Sequence, residues 1–423
     1  MKKKIFCLGL FLFVFSLVMG AQPYSLSSCC RKARENYPLL QGKEHLARTT
    51  ELTIRNVRNQ WLPRTTISGQ ASWQNEVPGL GSDAAMPAMS LPEAPKDQYK
   101  VVLDVDQTLY NGGRISARSK LEKTSGALKQ QDIEVKMYEL KKRVTLLYFN
   151  ILMLSEKVRL TETKIQTLEA RMEELRQLVK HGAVDQSEMQ VLKAEYHQVS
   201  QQLLSVRNDL GVLLDHLSSF IGEEVSSASN LKEPEAGELL NPDIHPERRV
   251  FELRRKVLDH QIYMVKRDRM PVVGAFAQAG YGNPGFNMLQ DEFSPLLMVG
   301  LRVKWTPWNW NQTRREKWAL QEQKELVNRK EETFHVNQKR TSRRLEGQVQ
   351  KYLNLMEHDD EIVRLREAVV AKSEKRLKNG TITSSDYISD LDAVMNARIN
   401  RNVHHLQYLQ NMAMKRLEDV SAP

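Results

Sequence analysis

Residues 99–111, Tyr99-Lys-Val-Val-Leu-Asp-Val-Asp-Gln-Thr-Leu-Tyr-Asn111, recur 198 positions later as Leu297-Met-Val-Gly-Leu-Arg-Val-Lys-Trp-Thr-Pro-Trp-Asn309. The same offset relates Lys180-His-Gly-Ala-Val-Asp-Gln-Ser-Glu188 to Lys378-Asn-Gly-Thr-Ile-Thr-Ser-Ser-Asp386. Upstream, Leu62-Pro63 matches Met270-Pro271 at an offset of 208. The first copy takes up the difference in a Pro/Gly/Met-rich loop, Val77 to Lys96. Two copies that differ mainly in a loop are a duplicated structural unit.

Each copy carries two short segments of alternating polarity. Ile67, Gly69, Ala71 and Trp73 alternate with Thr66, Ser68, Gln70 and Ser72. Tyr99, Val101, Leu103 and Val105 alternate with Lys100, Val102, Asp104 and Asp106. In the second copy the apolar sets are Ala275, Ala277, Ala279 and Tyr281, then Leu297, Val299, Leu301 and Val303. A period of two over about ten residues describes a membrane β-strand with one lipid face and one wet face. Aromatic residues gather at one end of these strands: Trp61, Tyr110, Trp305, Trp308 and Trp310. Strands running up and back as hairpins bring all five to one membrane interface.

A long helix follows each strand pair. From Ile133 through Met137, Leu140, Val144, Leu147, Ile151, Leu154 and Val158 to Val179, apolar residues are spaced four and three, with only Thr161 breaking the seam. That heptad predicts a coiled coil. It resumes after Gly182, at Leu192, Tyr196, Val199, Leu203 and Val206, so Gly182 reads as a helix C-cap and reversal point. Gly380 holds the matching place in copy two, where the seam through Leu345, Val349, Tyr352 and Met356 is less regular. Arg114 to His181 as one helix is roughly 100 Å long, far beyond what a compact domain contains.

The predicted order is a signal peptide at 1–21, an N-terminal helix at 22–62 and strands one and two at 63–110. A long helical hairpin at 111–222, a linker at 223–246 and a helix at 247–270 come next. Strands three and four at 271–306 and a second hairpin at 307–423 complete the chain. The leader has Lys2, Lys3 and Lys4, an apolar core from Ile5 to Met19, and Gly20-Ala21 for cleavage. Its loss lowers the formal net charge from +10 to +7, and export removes nucleic acid as an expected partner. Beyond the leader no stretch approaches eighteen consecutive apolar residues, which excludes a transmembrane helix but leaves a β-barrel open. Cys29 and Cys30 are neighbours, too close for an ordinary mutual disulfide, and read as structural. The weak lipoprotein-like box Leu26-Ser27-Ser28-Cys29 leaves lipidation of Cys29 as the alternative.

With Leu26-Ser-Ser-Cys-Cys-Arg-Lys-Ala-Arg-Glu-Asn36-Tyr-Pro38, Trp61-Leu-Pro63, Leu109-Tyr-Asn-Gly-Gly113 and the two Gly-turns, the chain resembles the TolC outer-membrane efflux family from Tyr24 to about Leu417. The resemblance implies a mostly α fold with a small β part. Each subunit of a homotrimer gives four strands to a 12-stranded β-barrel on a periplasmic α-helical tunnel, in the outer membrane of a Gram-negative bacterium. It implies contact with outer-membrane lipid and an exit duct for small molecules. These arrive from an inner-membrane pump of the RND, ABC or MFS type through a periplasmic adaptor (membrane fusion) protein, which docks at the tips near Gly182 and Gly380. It also places a periplasmic gate at Asp386, with Glu188 its first-copy counterpart. The family's second acid falls on Ser389, with Asp390 one place on.

No cofactor, metal or catalytic set is implied. Val101-Val-Leu-Asp104-Val-Asp106-Gln-Thr108 looks like the first motif of haloacid-dehalogenase-type phosphatases, but the duplicate has Arg302 and Lys304 at the two acids. A shared alternation, not a shared nucleophile, is what the copies preserve. Two rivals stay open. A type I protein-secretion duct has the same fold, and a periplasmic coiled-coil adaptor would have one hairpin instead of two.

Overall fold

A computed structural model describes residues 23–77, 94–181, 184–235, 237, 245–288 and 290–418. The signal-peptide segment and Gly182 lie outside the described residues. Helices α1 (Leu26–Asn36) and α2 (Pro38–Arg58) precede a 3-10 turn at Asn59–Trp61. Strands β1 (Arg64–Trp73) and β2 (Asp97–Tyr110) lead into α3 (Arg114–Lys180) and α4 (Gln186–Ile221). After α5 (Pro246–Arg267) the plan repeats as β3 (Val272–Asn283), β4 (Ser294–Lys304), α6 (Gln312–Lys378) and α7 (Ser384–Glu418). Both long helices have 67 residues. The N-terminal segment is two helices where a single one is expected. Tyr37 is extended and Pro38, which cannot continue a helix from behind, opens α2.

The chain divides into two compact units. One comprises Lys43–Asp132 and Glu247–Glu331. Its four strands form one antiparallel sheet in the order β1-β2-β3-β4, so the two copies meet where β2 pairs with β3. Trp61 precedes β1, Tyr110 ends β2 and Trp305 follows β4, and the register (Arg64↔Asp106, Tyr110↔Val273, Val272↔Lys304) sets these at one end. In the same unit α2 lies close against α3. A Cβ on Gly126 would come within 2.4 Å of Thr50 Oγ1, so only glycine permits that approach.

The other unit comprises Met1–Gly42, Ile133–Pro246 and Glu332–Pro423. Its main core joins Leu26, Cys29, Cys30 and Ala33 of α1 to Val144, Tyr148 and Ile151 of α3, Leu217 of α4 and Leu409 of α7. The heptad seam is where burial concentrates: Ile133, Met137, Leu140, Val144, Ile151, Leu168 and Leu175 are all buried. Each such side chain contributes roughly 1.5–3 kcal/mol by leaving water. Thr161 fits the seam because its hydroxyl donates to the Lys157 carbonyl at 2.7 Å. In α6 the seam takes a charge instead. Buried Asp359 lies one turn past Met356 and faces His404 Nδ1 of α7 at 2.9 Å.

Cys29 and Cys30 are both free thiols and buried. Burial and the neighbouring Cys30 push the Cys29 thiol up to about 12, and burial pushes Cys30 up to about 11. Thiols so rarely ionised are inert. The residues before Cys29 are also built in. Ser25 caps α1, and Tyr24 bridges to Leu231, with the buried Tyr148 hydroxyl 2.8 Å from the Tyr24 carbonyl. These contacts support the structural reading of Cys29 over lipidation, since cleavage before it would remove them.

Candidate functional site

Two places concentrate features that a packed core does not need. The first is the sheet. Side chains of Ile67, Val101, Leu103, Leu297, Val299, Leu301 and Val303 all stand exposed on one face. A row of aliphatic groups with Leu297 and Val299 each 73% exposed has no place in water. The opposite face carries charge: Gln278 donates to Asp104 at 2.7 Å, and Arg302 lies 3.7 Å from Asp106 and 4.8 Å over the Phe276 ring. The two acids of the phosphatase-like motif therefore sit in cross-strand polar contacts, without a metal cluster among the described residues.

Trp61, Tyr110, Trp305, Trp308 and Trp310 are exposed at one end of the sheet. A second aromatic group, overlooked in the sequence, marks the other end. Trp73, Tyr99, Tyr281 and Phe293 are exposed there, with the Phe293 ring 5.8 Å from Tyr281 and 6.5 Å from Tyr99. Its signal was present, because Trp73, Tyr99 and Tyr281 each belong to an apolar alternating set. Tyr99 to Tyr110 along β2, at about 3.3 Å per residue and a tilt near 40°, separates the two levels by roughly 28 Å. That matches the apolar band of a bilayer, about 25 Å in outer-membrane barrels.

The second place is where the helices reverse. Gly380 ends α6 with φ +67, and the amides of Gly380 and Thr381 return to the carbonyls of Leu377 and Arg376 at 3.0 and 2.9 Å. This is the left-handed C-terminal closure that favours glycine. Asp386 then forms a capping box at the start of α7. Its carboxylate accepts from the Thr383 amide at 3.0 Å and hydroxyl at 2.8 Å, while its own amide donates to Thr383 Oγ1 at 3.1 Å. The Thr383 hydroxyl and amide hold the Asp386 carboxyl below the usual carboxylate range. Glu188, from the first hairpin, accepts from the Ser384 amide at 2.5 Å. The structure thus brings Glu188 and Asp386 to one helix N-terminus, where negative charge is favoured. Asp390 lies a turn further on and accepts from the Ser373 hydroxyl of α6.

Further bonds join the hairpins. Arg171 of α3 donates to Tyr387 of α7 at 3.3 Å and pairs with Glu374 of α6. Lys378 of α6 lies 3.3 Å from Glu174 of α3, and Lys164 of α3 pairs with Asp392 of α7. Burial opposes the Arg171 charge, but Tyr387, Glu374 and Glu174 outweigh it and raise the guanidinium pKa. Burial likewise raises the Tyr387 hydroxyl, partly offset by Arg171. Tyr387 is itself 1% exposed within a core of Leu168, Leu175, Leu192, Leu377 and Leu391. Sequence reading missed Arg171, Glu374 and Tyr387 because their partners are some two hundred residues apart. Only Tyr387 left a trace, as the first member of a four-three spacing with Leu391 and Val394.

A family model described as outer membrane efflux protein matches residues 30–223. The fold is similar to the outer membrane protein VceC of Vibrio cholerae, with a TM-score of 0.66 and 13% identity over 93% of this chain and 94% of that one. It is similar to the Campylobacter jejuni CmeC outer membrane channel, with a TM-score of 0.68 and 12% identity over 94% and 87%. The open state of the Neisseria gonorrhoeae MtrE outer membrane channel gives 0.64 and 12% over 94% and 91%. No curated protein sequence matches significantly.

Proposed function

We propose that the chain is an outer membrane efflux protein of the TolC type, a channel and not an enzyme, and that it serves as the exit duct of a tripartite efflux system. One observation carries the reading. A four-stranded sheet with a lipid-like outer face, two aromatic levels and two unpaired edge strands, β1 and β4, does not close on itself. Single-chain barrels begin at eight strands, and three copies supply twelve. Trimerisation pairs β4 of one copy with β1 of the next and leaves no edge in lipid. Exposed Ile362, Leu365 and Val369 on α6 follow helical spacing and offer a further apolar stripe to a neighbouring copy.

On this reading the helical hairpins form the periplasmic part of the duct. Their tips, at Gly380 and at Gly182 in the undescribed turn, receive a periplasmic adaptor that links the duct to an inner-membrane pump. Arg171, Glu188, Lys378 and Tyr387 latch the tips closed, and Asp386 lends the mouth its negative charge. Reconstitution into a planar bilayer tests the proposal. The expected result is a cation-selective conductance from a trimer, whose ion flow rises when a purified partner adaptor opens the tips. A soluble protein with no conductance would overturn it.

A further inference from the structure

We propose that the chain carries a binding site for one anionic phospholipid headgroup, a phosphodiester without a tethered ammonium, at the end of the sheet that carries Trp61, Tyr110 and Trp305. The proposal rests on the reading of that sheet as membrane-embedded. An open groove of about 660 Å³ lies among Lys266, Arg269, Trp305, Pro307, Arg314 and Lys317. That is the size of an ordinary small-ligand pocket. It combines four cations with no carboxylate in its lining.

The cations come from two separate places. Lys266 lies in the last turn of α5 and Arg269 follows three residues later. Arg314 and Lys317 share the first turns of α6. Among the described residues none of the four has an ion-pair partner. The nearby acid Asp268 is taken up by Arg114 at 3.2 Å. The two arginines are held in place by neutral groups instead. Arg269 donates to the Pro307 carbonyl at 3.5 Å, and Arg314 stacks 4.7 Å over the Trp318 ring. Like charges converging without an acid repel one another, and an anion relieves that repulsion.

Location selects the anion. Trp305 continues the alternation of Leu297, Val299, Leu301 and Val303, so its ring borders the groove from the lipid-facing side. Its Nε1 donates to the Arg269 carbonyl at 3.1 Å, which ties the basic turn to the aromatic level. Indoles at a membrane interface sit at headgroup depth, where Lys and Arg attract anionic lipid. Both long helices leave the sheet at this end, so the leaflet concerned is the periplasmic one.

Native mass spectrometry of the whole protein in detergent tests the site, with phosphatidylglycerol, phosphatidylcholine or inorganic phosphate added in turn. Phosphatidylglycerol should be retained at a concentration at least tenfold lower than phosphatidylcholine. Replacing Lys266, Arg269, Arg314 and Lys317 together by Gln should abolish that preference. Arg269→Lys with Arg314→Lys should keep it. Gln at Lys339, Arg340, Arg343 and Arg344, four cations elsewhere on α6, should also leave it unchanged. Equal retention of the two lipids, loss of preference in the α6 control, or release of phosphatidylglycerol by equimolar inorganic phosphate would each overturn the site. Membrane fractionation of the same protein separates the two readings. A soluble protein defeats the duct itself, whereas a membrane-inserted protein without the preference defeats only the headgroup site.

Discussion

At the scale of single residues, Asp386 ties a helix cap to a titratable carboxylate. It caps α7 through Thr383, and that contact holds its pKa below the ordinary carboxylate value. The sign follows from linkage. The cap contributes fully above the unfolded pKa and is lost as pH falls through the lowered folded one. Hydrogen-exchange protection of the amides at Ser384 to Tyr387, corrected for intrinsic exchange, should therefore collapse only in acid. Asp386→Ala should lose the protection at neutral pH and flatten its pH dependence. An unaltered profile would remove the cap from the account. In planar bilayers the same variant should lose cation selectivity if the three copies bring Asp386 together at the mouth. Arg171→Ala deletes bonds to Tyr387 and Glu374 and should raise basal conductance several-fold, because the link between hairpins goes with it. Conductance equal to wild type would mean that Arg171 does not latch the tips.

At the scale of elements, the crossing of α2 and α3 offers a sensitive test. Alanine in a helix interior ordinarily gains about 1 kcal/mol over glycine. At Gly126 the added Cβ meets Thr50, and overpacking of this kind costs roughly 1–3 kcal/mol. Gly126→Ala should thus lower stability by about 1 kcal/mol net, read from thermal unfolding of the helical circular dichroism signal. A stabilised variant would show that the helices part without cost. The strands invite the opposite expectation. Asp104→Asn with Asp106→Asn should leave transport nearly unchanged, since their partners Gln278 and Arg302 are polar groups of the wall. Phosphatase activity that disappears with Asp104→Asn would revive the enzymatic reading. Strands and coiled-coil helices were legible in the sequence because their periods, two and three-to-four, follow from backbone geometry alone. The break between α1 and α2 was less legible, although Pro38 marked the place.

At the scale of the whole molecule, the monomer is an incomplete object. Its sheet exposes a lipid face on one side, polar groups on the other, and an open edge at each end. The protein extracted in mild detergent should therefore run at three times the mature subunit mass and partition with outer-membrane fractions. A monodisperse monomer would leave two edges unpaired in lipid, which the physics of the bilayer forbids. Long helices with exposed Trp318, Leu326, Ile362, Leu365 and Val369 carry the same message into the helical part. In the proposed trimer, four strands and four long helices from each subunit build a shared wall.

The chain's duplication, its strand alternation, its heptad seams and its aromatic end were determined by sequence alone, since each is a periodic pattern that one face of one element must satisfy. The turn glycine at Gly380 belongs with them, because a positive φ is a local demand. The tertiary structure alone decided which groups meet across long separations. It joined Glu188 to the start of α7, Arg171 to Tyr387 and Glu374, and four scattered cations around Trp305. It also gave Asp104 and Asp106 their cross-strand partners Gln278 and Arg302. The reason is physical. Periodicity records which side of an element leaves water, whereas charge pairing depends on distances that arise only after two distant segments have packed.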